Sequence, residues 1–166
     1  RHAADSLRSP LMPDVRLLLL MAHEFVTQPL TREALLSELS FLAAHFRTAG
    51  TEVCTVLFGF AWGNDYPEGG WRELELPLTE LEAHVASVEA SDIGALGDDD
   101  LFVTFPSHGL EFQLCHESDV HLRFENASPI TEFFWLRWLQ LGFAPTELVS
   151  SVPGASPEVI RTARDA

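Results

Sequence analysis

Two short stretches of strict alternation constrain this chain more than any other feature. Leu110, Phe112 and Leu114 alternate with Glu111, Gln113 and Cys115, and Val120, Leu122 and Phe124 alternate with Asp119, His121, Arg123 and Glu125. A period of two is the mark of a strand with one face in a core. Two such strands around a short polar break form an antiparallel hairpin, whose opposed residues must share a face. A two-residue turn at Glu117-Ser118 opposes Leu114 to His121 and breaks that rule. A three-residue connection, Glu117-Ser118-Asp119, opposes Leu114 to Leu122 and Phe112 to Phe124. It then sets Cys115 against His121, Gln113 against Arg123 and Glu111 against Glu125, and this is the expected register. Leu101 to Phe105 adds a further strand through the turn Pro106-Ser107-His108-Gly109.

Helices come next. Thr31 caps a helix running to Thr48, with Leu35, Leu39, Leu42 and Phe46 on one stripe and Gly50 as its stop. Ser128 caps another, with Pro129 first, Glu132 in the first turn, Ile130, Phe134, Trp138 and Leu141 as its stripe, and Gly142 after it. Thr79 is expected to cap a third, with Leu78, Leu81, Val85 and Val88 on the apolar side. Glu52 to Phe60 and Trp71 to Leu76 read as strands. Val15 to Val26 is ambiguous and leans to helix through its Leu, Met, Ala, His and Glu content. The expected fold is α+β: a single domain with a mostly antiparallel sheet of about 4–5 strands packed against roughly 2–4 helices. Its expected limits are a flexible lead-in over 1–13, the domain over 14–145 and a loosely structured tail over 146–166.

Charge narrows the partners. The net charge is −15, with 46% hydrophobic residues including 12 Phe and 4 Trp, so the chain has material for a core. Between Asp65 and Glu125 there are 15 acidic residues against Arg72 and Arg123 only. Such a field repels phosphate backbones, which argues against nucleic acid, and attracts a basic protein. Acidic surfaces also confer solubility without recognising anything. The apolar run Leu17 to Ala22 is too short to span a membrane. Cys54 and Cys115 make no disulfide framework and fit a reducing, cytoplasmic setting.

Catalytic motifs are scarce. Gly59, Gly63, Gly69 and Gly70 match neither a dinucleotide fingerprint nor a P-loop. Asp98-Asp99-Asp100 lacks the alternating donors of a calcium loop, so it reads as a solvated or protein-facing acidic edge. Cys115, His116, Glu117, Asp119 and His121, with His108 nearby, are the one group rich in zinc-type donors. Their spacing is no standard zinc motif, and ordinary turn and sheet-face roles account for them. A Cys115–His121 thiolate–imidazolium pair lacks a third orienting group and an oxyanion hole in the sequence. No catalytic residue, cofactor or metal is therefore assigned.

The segments LEFQLCHESDVHLRFE and SPITEFFWLRWLQLGF resemble the carboxy-terminal part of small bacterial immunity proteins paired with polymorphic toxins. The resemblance spans Leu110 to Phe143, about a fifth of the chain. It implies a non-enzymatic inhibitor that binds one cognate toxin. The expected mechanism is occlusion of a basic active cleft by an acidic face. From charge and loop character, Trp62, Asp65, Tyr66, Glu68, Asp98, Asp99 and Asp100 are the candidate interface residues. Two alternatives stand beside it: a metal-assisted hydrolase built on the 108–121 cluster, and a structural or homo-oligomeric module joined through the aromatic helix.

Overall fold

The computed structural model describes residues 23–60, 73–150 and 156–165. Its strands are β1 His23–Val26, β2 Val53–Phe60, β3 Leu74–Pro77, β4 Asp100–Phe105, β5 Leu110–Leu114, β6 Val120–Phe124, β7 Thr146–Val149 and β8 Glu158–Thr162. The helices are α1 Arg32–Thr48, α2 Leu81–Ala90 and α3 Pro129–Gln140. The strands form one sheet in the order β3-β2-β4-β5-β6-β1-β7-β8, antiparallel at every pairing. The class is α+β, as expected, but with an 8-stranded sheet rather than four or five strands.

The difference lies in short strands at one side. His23–Val26 pairs with β6 on one edge and β7 on the other, so its backbone groups are satisfied by neighbours rather than by a helix. Phe25 then packs edge-on against Phe124 and Trp135, at ring distances of 4.7 and 5.1 Å. Helix-favouring composition loses to that burial. The segment expected to be a loose tail instead supplies β7 and β8.

The helices follow local chemistry. Thr31 Oγ1 accepts the Ala34 N–H at 3.2 Å, and Ser128 forms a capping box with Thr131. Thr79, expected to cap α2, lies inside a 3₁₀ turn, Leu78–Glu80. Leu78 is buried and its N–H is held by the Glu52 carbonyl at 2.9 Å, so the chain winds one turn early.

All three helices lie on one face of the sheet. Leu35, Leu39, Leu42 and Phe46 of α1 meet Val103 and Phe105 of β4, Phe112 of β5 and Phe134 of α3 in the core. Phe46 stacks on Phe105 at 3.7 Å between ring centroids. Most of the aromatic area of α3 goes into this core, while Phe133, Leu136 and Leu141 stay exposed. Glu38 is buried between α1 and α3, accepting from Arg137 Nη2 at 2.8 Å and Trp138 Nε1 at 2.8 Å. No helix among the described residues is long and apolar enough to cross a membrane.

Phe134 has no exposed surface and sits 4.9 Å from the Phe112 ring, so Phe134→Ala should cost about 3–5 kcal/mol. Urea denaturation should show a lower midpoint at unchanged slope. Leu136→Ala, at a side chain 51% exposed, should change stability by only about 0.5 kcal/mol.

Candidate functional site

The sheet face opposite the helices is polar at its centre. Alternation along β4, β5, β6 and β1 puts Asp100, Glu111, Gln113, Arg123, His121 and Glu24 on this side, through the pairs Phe102–Gln113, Gln113–His121, Glu111–Arg123 and Glu24–Arg123. Asp100, Glu111, Gln113, Cys115 and Asp119 are all buried. Buried polar groups need partners, and these have them.

The hairpin turn gathers the cluster. Cys115 N–H donates to the Asp119 carbonyl at 2.8 Å, and Ser118 N–H to the Cys115 carbonyl at 2.9 Å. The connection is therefore His116-Glu117-Ser118, closed by Ser118 in the left-handed region at φ 65°. Its length is the expected one, but the register differs by two residues: Leu114 opposes Val120 and Phe112 opposes Leu122. The same-face rule is obeyed by both registers, because a shift of two preserves every face. The left-handed Ser118 and the turn hydrogen bonds between Cys115 and Asp119 and between Ser118 and Cys115 select the observed one. Cys115 consequently faces Asp119 across the turn, and His121 stands one strand position pair further on.

Two overlapping groups share Cys115. In the first, Asp100 Oδ1 lies 3.0 Å from His116 Nδ1, and Cys115 Sγ lies 3.5 Å from that same nitrogen. Asp100 Oδ1 also accepts the His116 backbone N–H and the Gln113 amide, each at 2.9 Å. The second holds Cys115, Asp119 and His121. His121 Nε2 is 3.1 Å from Asp119 Oδ1, and its Nδ1 is 2.8 Å from Glu24 Oε1. In each group one donor atom per residue lies within 4.8 Å of the others, so either could hold a metal ion. Gly59, at φ 98°, is the bulged residue that lets Phe60 of β2 meet Asp100 of β4.

Electrostatics set the protonation. Burial by itself would depress the His121 pKa. Hydrogen bonds to Asp119, Cys115 and Glu24, with the Glu24 charge, outweigh it and raise the imidazole to about 11. Burial raises the Glu24 and Asp119 carboxyls, but His121 and its neighbours hold both below their ordinary values. His116 is raised by its bond to Asp100. Asp100 is raised by burial but pulled down further by the donors from His116 and Gln113.

The expected chemistry residues separate accordingly. Cys115, His116, Asp119 and His121 converge, whereas Glu117 is exposed and His108 sits elsewhere, its Nε2 2.8 Å from Thr51 Oγ1. Asp100 and Glu24 join the site from β4 and β1, neighbours that hairpin spacing does not reveal. Glu24 is the orienting group the sequence lacked. Carboxylates face both His121 nitrogens, Asp119 at Nε2 and Glu24 at Nδ1.

Of the expected interface residues, Trp62, Asp65, Tyr66 and Glu68 lie outside the described residues. The three aspartates divide by role. Asp98 is exposed, Asp99 Oδ2 accepts the Ala95 N–H at 2.9 Å, and Asp100 is built into the buried cluster. Cys54 and Cys115 are both buried free thiols. Comparison of the chain with protein-family models, curated proteins and solved structures found no match to any of them.

His121 makes stability pH-dependent in a definite direction. Its folded pKa, about 11, lies above the ordinary 6.5, so its contribution is complete below pH 6.5 and is lost as pH rises through 11. Urea midpoints of metal-free protein should therefore fall across that alkaline window. His121→Gln should be less stable near neutrality and lose the alkaline slope. An unchanged slope in the variant would assign the effect to other groups.

Proposed function

We propose that this protein is an inhibitor of the immunity type, binding a basic toxin or nuclease and covering its active cleft. One observation carries the reading: four arginines are each held by a carboxylate of the fold, while acidic groups at one sheet edge are exposed without a cationic partner among the described residues. Arg32, Arg123, Arg137 and Arg161 are each engaged in an ion pair with Glu89, Glu24, Glu38 and Glu147 respectively. Arg47 and Arg164 are the described arginines without such a pair. Glu52, Glu73, Glu75 and Glu80 are exposed and have no cationic partner among the described residues.

Glu52 and Glu75 are brought together by the topology, and Glu73 precedes Glu75 by two residues. β3 is the edge strand, Glu75 is opposed to Thr55 of β2, and the Leu78 N–H returns to the Glu52 carbonyl. Glu52 and Glu75 line one groove with Thr51, Thr55, Ser107 and His108. An edge strand offers free backbone groups to a partner, and the charge beside it steers a basic one while repelling nucleic acid. The inhibitor acts by occlusion and needs no catalysis of its own. It works in a reducing cytoplasm, where both cysteines remain thiols.

The test is affinity capture from the source organism with the full chain, followed by binding and inhibition assays on the purified partner. A single basic protein should bind one-to-one and lose its toxic activity. Its association rate should fall tenfold or more, in order of magnitude, as salt screens the field. Glu73→Lys with Glu75→Lys should produce a comparable loss at low salt. A partner bound equally well by this charge-reversed variant would place the interface elsewhere. A captured partner that is acidic or uninhibited would overturn the inhibitor reading.

A further inference from the structure

The buried turn cluster does something that the acidic edge does not explain. We infer that Asp100, Cys115 and His116 form a site for a zinc-class divalent ion, with His116 Nδ1, Cys115 Sγ and an Asp100 carboxylate oxygen as its ligands. The inference is independent of the inhibitor reading, since none of these groups belongs to the β3 edge.

Three lone-pair donors of three chemical kinds converge on one point. His116 Nδ1 is 3.0 Å from Asp100 Oδ1 and 3.5 Å from Cys115 Sγ, and all three donor atoms lie within 4.8 Å of one another. A single proton on Nδ1 can serve only one of its two neighbours well. A cation serves all three together. The spacing also fits: bonds of about 2.0–2.1 Å to N and O and about 2.3 Å to S give tetrahedral edges of roughly 3.3 Å for N–O and 3.6 Å for S–N. Three protein ligands leave a fourth position for water or another donor, as in open zinc sites.

The surroundings match a supported site. Asp100 is 3% exposed and is aimed by the Gln113 amide, which in turn accepts from Arg123 Nη2. Outer hydrogen bonds of this kind orient metal-binding carboxylates. The His116 side chain is 34% exposed, so an ion has a way in. The neighbouring set with Asp119 and His121 shares the Cys115 thiol, so the two sets compete for one sulfur, and the more exposed His116 gives the first set the easier access for an ion.

The experiment is a titration of metal-stripped, reduced full-length protein with cobalt(II), followed by displacement with zinc. One equivalent should produce thiolate-to-cobalt charge-transfer absorption together with the visible bands of tetrahedral cobalt, and zinc should abolish both. Cys115→Ser should eliminate the charge-transfer band, and His116→Gln and Asp100→Asn should each weaken binding by at least tenfold. Gln113→Ala should weaken it by about 10–100-fold, as loss of an outer hydrogen bond does. His121→Gln should retain the band. Far-UV circular dichroism checks that each variant is folded, and His116, being partly exposed, is the substitution the fold tolerates best. A folded wild-type protein with no charge-transfer band, or with one only in large cobalt excess, would overturn the site. So would a band that survives His116→Gln but disappears in His121→Gln.

Discussion

The guanidinium of Arg123 lies on the sheet face opposite the helices, 2.8 Å from Glu24 Oε1 and 2.9 Å from Glu111 Oε1, and donates to Gln113. These contacts join β1, β5 and β6, three of the four strands that carry polar residues onto this face. Taking one member away from such a group typically costs about 3–5 kcal/mol, because it leaves a charge without its partner. The cluster at the hairpin turn depends on it from both sides. Gln113 passes the restraint to Asp100 and thence to His116, while Glu24 passes it to His121 and thence to Asp119. A sheet with an apolar second face would be simpler to stabilise, but it would hold neither set of donors in place.

The helical face uses arginine in a related way. Arg137 pairs with buried Glu38 while its guanidinium lies 3.4 Å from the centroid of the Phe41 ring. Arg161 of β8 reaches Glu147 of β7 at 2.8 Å and Glu132 of α3 at 3.0 Å, and lies 3.8 Å over Trp135. In both places the flat cation satisfies a carboxylate at its edge and an aromatic surface at its face, which lysine does less well. The Arg161 contacts also explain how β8, an edge strand whose first three residues are exposed, is tied to the body of the fold.

Long periodic elements were legible in the sequence, and short ones were not. The stripe of α1, the cap and aromatic stripe of α3 and the alternation of β5 and β6 all carry enough residues to reveal their period. His23–Val26, Thr146–Val149 and Glu158–Thr162 are four or five residues each, and two of them gain their identity only from the strands beside them. The turn cluster was half legible. Cys115, His116, Asp119 and His121 stand close in sequence, so their convergence follows from almost any tight hairpin. Asp100 and Glu24 arrive from other strands, 16 and 97 positions away from their histidine partners, and only the strand order brings them there. Parity determines faces but not register, which is why alternation alone left the turn two residues out.

The acidic excess is best understood as two populations of carboxylates with different physics. Glu24, Glu38, Asp100, Asp119 and Glu147 are held by arginine, histidine or amide donors, and their charge is largely neutralised within a few ångströms. Glu52, Glu73, Glu75 and Glu80 have no such neighbour, so their field extends into solvent as far as salt permits. Net charge treats both groups alike, but a paired carboxylate spends its charge inside the fold, whereas an exposed and uncompensated one projects its field into solvent. Protein recognition and metal binding would therefore draw on different residues, and disturbing one need not disturb the other. The division follows from where the arginines sit. Four of them are built into the fold, so the remaining acidic groups of the β3 edge stay uncompensated.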